Sequence, residues 1–272
     1  MEILKKIVED NPEKPHFYIR NLLRQYLQVL ILEYIYSSKK YNDLFFYGGT
    51  CLALCYKLPR LSEDLDFVDE EGNTDMEMLA SDVKVFLEKS LDLEVDVKVQ
   101  KFRIYFKFPI LKDLGLSEGK VGSDILFIKL EIFSDFGFCK SFQKEFKPLF
   151  KFNRSVLVKT FDLSTLMSTK ILAVLNRSWQ KKDKKGNVLA QVKGRDFFDL
   201  MWFLQNNVEP NYDCLREILS KKELKLKLLE KIESVDAKSI AFDLENFVED
   251  MDFARNLGEK MKDILKVEIE SF

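Results

Sequence analysis

Tyr47-Gly48-Gly49-Thr50-Cys51-Leu52, followed shortly by Arg60-Leu61-Ser62-Glu63-Asp64-Leu65-Asp66-Phe67, is the stretch on which the fold turns. Residues 44–47 are uninterruptedly apolar and aromatic and predict a short buried strand. Gly48-Gly49 ends it, Thr50 is placed to cap a helix over 51–57, and Pro59 stops that helix. Residues 64–68 predict a second strand. Two glycines after a strand let the backbone approach a ligand closely. A helix opening behind them offers unpaired N–H groups and the positive end of its dipole to phosphate. Asp64 and Asp66 are two apart, so on a strand both carboxylates point to one face. Two like charges side by side are unfavourable without a cation. Mg²⁺, a hard ion that takes carboxylate and phosphate oxygens, is the expected one, with Mn²⁺ as an alternative.

Working outward, residues 17–37 carry apolar side chains at helical spacing with no internal Gly or Pro. Thr74 with Glu77 reads as a capping box opening a helix to about residue 90. Residues 93–99 and 102–108 alternate apolar and polar as a hairpin, and 125–133 as a further strand. From residue 162 the pattern is helical: one helix over 163–177, another over 196–205, and several more to the end. The expected organisation is an N-terminal α/β domain over 1–159, built on a mixed sheet, and a helical domain over 160–272 that completes the active site.

The motif Gly-Gly-Thr-x-Leu with Arg-x-Ser-x-Asp-Leu-Asp-Phe resembles the AbiEii-type toxin nucleotidyltransferases, a family of the DNA polymerase beta-like nucleotidyltransferase superfamily that includes type IV toxin–antitoxin toxins. The resemblance implies an α+β fold, a polymerase beta-like core followed by a helical C-terminal region. It implies that Gly49 and Thr50, with Gly48 beside them, hold nucleotide phosphates, and that Asp64 and Asp66 hold Mg²⁺. Arg60 and Ser62 match the same motif, and a guanidinium fork and a hydroxyl suit a triphosphate. Superfamily members carry a third acid on a later strand. Here Glu131, in Ile128-Lys129-Leu130-Glu131, is the candidate, with Asp135 as the fallback and a structural Lys129–Glu131 pair as the competing reading.

Two later segments extend the resemblance. Lys170, Ala173 and Arg177 fall on the 163–177 helix, and Arg195-Asp196-x-x-Asp199-Leu200 opens the next one. The family places the lysine on the nucleotide's phosphates and makes the first aspartate important for activity, which carries over to Lys170 and Asp196. Chemically, a cation near departing pyrophosphate stabilises its charge. Asp196 has three readings: orienting Lys170, accepting a proton, or capping the helix. Asp199 is expected to pair with Arg195 through i,i+4 spacing.

Composition sets the outer bounds. The chain has 272 residues, 46% hydrophobic and 32% charged, which fits a folded protein with a sizeable core. No apolar run is long enough to span a bilayer, no signal segment opens the chain, and a cytoplasmic protein is expected. Four cysteines (Cys51, Cys55, Cys139, Cys214) lack C-x-x-C spacing and His16 is the single histidine, which argues against zinc. A net charge of −2 means that any nucleic-acid contact rests on a local patch. Lys181, Lys182, Lys184 and Lys185, extended by Lys193 and Arg195, are the candidate patch. The expected partners are a nucleoside triphosphate, an RNA acceptor such as the tRNA 3′ end, and a separately encoded antitoxin. A protein or small-molecule hydroxyl acceptor, or a degenerate nucleotide-binding module, are the alternatives.

Overall fold

The computed structural model describes residues 1–117, 124–134, 136–137, 139–183, 185–215, 218 and 220–272. Asp135 and Lys184 lie outside the described residues. The chain divides into two compact units: residues 1–57, 61–136 and 145–160 form the first, and residues 58–60, 137–144 and 161–272 the second.

The first unit carries a seven-stranded mixed sheet. Its elements are α1 (Glu2–Glu9), α2 (His16–Ser37), β1 (Phe45–Tyr47), α3 (Gly48–Cys55), β2 (Asp64–Val68), α4 (Met76–Leu91), β3 (Asp96–Gln100), β4 (Arg103–Pro109), β5 (Ile125–Phe133), β6 (Lys144–Lys151) and β7 (Arg154–Phe161). The strand order is β3-β4-β5-β2-β1-β7-β6. β2 runs antiparallel to β1 and parallel to β5, and β4 is antiparallel to both β3 and β5. One face is apolar, with Phe46, Leu65, Phe67, Ile104, Phe106, Ile128 and Leu130 fully buried, and α2 and α4 pack on the sheet. The alternate residues of the same strands, Asp64, Asp66, Arg103, Tyr105 and Lys129, stand on the other face and are only half-buried. A strand period of two therefore separates core from chemistry within these strands.

Two helix starts differ from the sequence expectation. α3 begins at Gly48, so Thr50 lies inside its first turn and not at the cap. The reason is the φ of +80° at Gly48, which turns the chain from strand straight into helix. α4 begins at Met76, and Asp75 takes the cap position, accepting from the N–H groups of Glu77 and Met78 at 3.0 Å each. Thr74 instead donates its own N–H to Asp69 Oδ2 at 2.7 Å. The Asp75 carboxylate one residue on satisfies the free N–H groups that the capping box was expected to meet.

The second unit is helical: α5 (Leu163–Asn176), α6 (Gly194–Gln205), α7 (Lys221–Glu233), α8 (Ala237–Leu244) and α9 (Met251–Ser271). The lysine-rich segment between α5 and α6, read as a loop, holds a small hairpin of β8 (Lys181–Lys182) and β9 (Val188–Ala190). Asp183 closes its turn by accepting from the Lys185 and Asn187 N–H groups at 2.8 and 2.9 Å. α6 lies so close to α8 that a Cβ on Gly194 would stand 2.8 Å from the Ile240 backbone, which explains a glycine at this helix start. Cys139 and Cys214 are joined as a disulfide across 75 residues of sequence. Among the described residues no helix is long and apolar enough to cross a membrane.

Candidate functional site

In the first unit the register of β2 against β5 sets the site. Asp64 is the Cα partner of Lys129, and Asp66 that of Glu131. β1 adds Tyr47 opposite Asp66, and β4 adds Arg103 opposite Glu131. A single rung across four strands thus reads Tyr47, Asp66, Glu131, Arg103, and the neighbouring rung carries Asp64 and Lys129. Asp64, Asp66 and Glu131 share one face.

The glycine turn is built around the second aspartate. An ideal Cβ on Gly48 would lie 2.3 Å from Asp66 Oδ2 and 3.1 Å from its Cγ. Glycine is required there twice over, by its positive φ and by the carboxylate that fills the space where a side chain would be. Thr50 is buried, and its hydroxyl donates to the Asp64 carbonyl oxygen. That bond fastens the first turn of α3 to the start of β2. Ser62 is buried too, and its carbonyl, with that of Glu63, accepts from Gln28 Nε2 at 3.1 and 2.9 Å. The approach to Asp64 is therefore pinned on both sides.

Lys129 stands between the acids, with its Nζ 3.0 Å from Asp64 Oδ2 and 3.3 Å from Glu131 Oε1. Arg103 Nε donates to Glu131 as well. Burial alone would depress the Lys129 ammonium, but Asp64 and Glu131 outweigh it and raise its pKa. Burial pushes Asp64 above the usual carboxylate range, opposed by Lys129 and reinforced by Glu63 and Glu131. Tyr47 is held protonated by burial and by the charges of Asp66 and Glu131. Among the described residues no three His, Cys, Asp or Glu side chains close up as a metal cluster. The ammonium of Lys129 fills part of the space between two of the three acids. The donor set still suits a hard divalent ion: three carboxylates on one face, with no sulfur or imidazole among them. Sequence reading weighed Lys129 as a partner of Glu131. It did not see the contact to Asp64, nor Tyr47 and Arg103, because these depend on strand register.

The second unit gathers the other motif residues. Lys170 Nζ lies 2.8 Å from Asp199 Oδ2 and 3.2 Å from Asp196 Oδ1. Arg177 pairs with the other Asp196 oxygen. Arg60 closes on Asp199 with both arms of its fork, Nε and a terminal nitrogen, at 2.7 Å each. The Arg60 and Asp199 side chains are 2% and 0% exposed. The fork expected to face a triphosphate is thus occupied by a buried carboxylate. Arg195 does not reach Asp199 either; its Nε is 3.3 Å from Asp243 Oδ2, and its N–H donates to the same oxygen at 2.9 Å. The i,i+4 expectation fails because Asp199 points inward, where two cations already neutralise it. Asp196 does not cap α6, which has no side-chain cap, and its carboxylate lies against Lys170 and Arg177.

Burial works against charge on Asp199, yet Arg60 and Lys170 together hold its carboxyl below the usual range. Lys170 is raised in turn: burial opposes its charge, and Asp199 and Asp196 outweigh it. Two cations and two carboxylates balance in the buried part of this network, and the exposed Arg177 adds a positive charge at its edge.

Over residues 30–267 the chain matches the model of the family described as nucleotidyl transferase AbiEii toxin, type IV TA system. No curated protein matches it. Two solved structures from Helicobacter pylori are similar. JHP933 is 17% identical, with a TM-score of 0.47 over 92% of this chain and 94% of that one. The other, named provisionally as a nucleotidyltransferase, is 16% identical, with a TM-score of 0.47 over 92% of this chain and 96% of that one.

Proposed function

Since the chain belongs to the AbiEii nucleotidyltransferase family of type IV toxin–antitoxin systems, we propose that it moves a nucleotide from a nucleoside triphosphate to an RNA hydroxyl, the tRNA 3′ end being the leading acceptor. The observation that carries this reading is the pair Asp64 and Asp66, in register with Lys129 and Glu131, with Asp66 seated against the bare Cα of Gly48.

Asp64 and Asp66, with Glu131 as the third acid, are the residues that would hold Mg²⁺ or Mn²⁺. A bound ion supplies charge neutralisation for the reacting phosphate and lowers the pKa of a coordinated hydroxyl. In the reaction the acceptor oxygen bonds to the α-phosphorus as the bond to the departing pyrophosphate breaks. Glu131 is the group assigned to favour loss of the acceptor proton. Gly49 and Thr50, at the start of α3, offer backbone N–H groups to the phosphates. Ser62, on the motif that leads into β2, carries the hydroxyl that the motif would offer to the triphosphate. Lys129 now neutralises Asp64, the charge that a divalent ion there would supply instead. It also lies close enough to pair with Glu131 or with a phosphate oxygen.

Lys170 is assigned to the phosphates of the nucleotide. Asp199 and Asp196 hold its ammonium charged and positioned, which supports this. Arg60 is reassigned from triphosphate contact to the buried support of Asp199. A separately encoded antitoxin accompanies toxins of this family, and expression of the chain alone is expected to slow growth.

The test is incubation with each labelled nucleoside triphosphate, Mg²⁺, and either total RNA or total protein. Label at RNA 3′ ends is expected. Label in protein alone would reject the RNA acceptor and retain the transferase.

A further inference from the structure

Between the C-terminal end of α5, the segment leading into α6 and the last turn of α7, the second unit holds a half-open cavity of about 540 Å³. That volume falls within the ~300–1,000 Å³ of small-ligand sites. Three cations line it: Arg177, Lys193 and Lys231. Asp196 is the one carboxylate among the described lining residues, and it already serves Lys170 and Arg177. Trp179 contributes a flat aromatic wall.

Lys193 is the telling residue. It is partly buried and forms no close ion pair among the described residues; the carboxylate that acts on it, Asp196, is already shared by Lys170 and Arg177. Burial, and then the charge of Arg195, push its pKa down, reinforced by Arg177 and Lys170 and opposed by Asp196. Lys231 is partly buried and likewise forms no ion pair among the described residues. Surface lysines of no consequence point into water; these two converge on a polar cavity where like charges repel. A multiply charged anion would relieve that repulsion and satisfy the unused donors.

We propose that this cavity binds a nucleotide phosphate, with Arg177, Lys193 and Lys231 on the phosphate and Trp179 against the base. The base contact follows from the sequence-tolerant stacking of nucleobases on exposed aromatic faces. The phosphate has two sources under the transferase reading, on which the choice of ligand rests: the donor triphosphate, or a nucleotide of the acceptor strand.

The test uses the full chain in a Trp202→Phe background, so that Trp179 fluorescence reports the cavity. The probes are the four nucleoside triphosphates without metal, and a labelled single-stranded RNA oligonucleotide followed by anisotropy at several salt concentrations. The Lys193→Gln/Lys231→Gln variant is expected to bind at least one probe about tenfold more weakly. The Lys193→Arg/Lys231→Arg variant, which keeps both charges, is expected to stay near wild type. If RNA is the source, its salt dependence becomes shallower by about 1.4 in log–log slope, from ~0.7 per lost contact on a single strand. If the triphosphate is the source, its affinity alone falls. Unchanged affinity for both probes in the Gln variant overturns the site, as does an equal loss in the Arg variant or failure of the wild type to bind either probe. Binding is read without catalysis. A wild-type chain that transfers nothing, yet binds a probe through these lysines, rejects the transferase reading and keeps the cavity.

Discussion

Replacing Gly48 by alanine tests how tightly the glycine turn and the carboxylate pair are coupled. The added Cβ would start 2.3 Å from Asp66 Oδ2. A comfortable carbon–oxygen contact is longer by about 1 Å, so the Asp66 carboxylate must swing away by about that distance. A misplacement of ~1 Å in a reacting constellation costs about 100-fold in rate. The φ of +80° adds strain, on the order of 1–3 kcal/mol of stability for an L-residue. Both effects are measured in one preparation, kcat/KM for nucleotide transfer and the urea midpoint. Gly115→Ala supplies the control, since Gly115 also has positive φ (+67°) but nothing within 4 Å of its Cβ position. The control should lose stability and keep its rate per folded molecule. If Gly48→Ala transfers nucleotide as fast as Gly115→Ala, the turn does not position Asp66 and the local argument is refuted.

Other substitutions probe the remaining parts. Asp199→Asn leaves Arg60 without its buried counter-ion and Lys170 with Asp196 alone, and should destabilise the chain by ~3–5 kcal/mol in urea unfolding. Because the folded pKa of Asp199 lies below its ordinary 3.8, its contribution is present above that value and lost as pH falls through the lower, folded one. The acid limb of the wild-type stability curve should therefore flatten in the variant. Lys170→Ala should cut the transfer rate at saturating nucleotide by about 100-fold or more, and Lys170→Arg by less; an unchanged rate would leave Lys170 only its structural pairing. Lys129→Gln removes the ammonium between Asp64 and Glu131, and should lower the Mg²⁺ concentration for half-maximal activity several-fold. A higher requirement would show that Lys129 helps to assemble the site.

What the sequence revealed was local. The strand, glycine turn and Asp64-Leu65-Asp66 lie within about 20 residues, and each carries its own signal in alternation, glycine placement and charge. Long-range pairing left no such signal. Arg60 meets Asp199 across 139 positions, and nothing in either segment names the other. Arg195 had a well-spaced candidate in Asp199, yet tertiary packing gave it Asp243. β6 escaped notice because its alternation is inverted. Phe146 and Phe150, with Pro148 between them, lie on the exposed side of β6 at 61% and 74% exposure, where polar residues mark a half-buried strand. Thr50 and Thr74 were both expected as helix caps. The structure moved each helix start by one to three residues, which changed the residue in the capping position but not the helix.

The account rests on two aspartates, so the most direct measurement is transfer of label from a nucleoside triphosphate to RNA by the Asp64→Asn/Asp66→Asn variant. Its fold is checked by circular dichroism and by a urea transition that stays cooperative. Loss of all detectable transfer by a folded variant, with growth restored in cells expressing it, is the predicted result. Undiminished transfer by the same folded protein would contradict the assignment of this site.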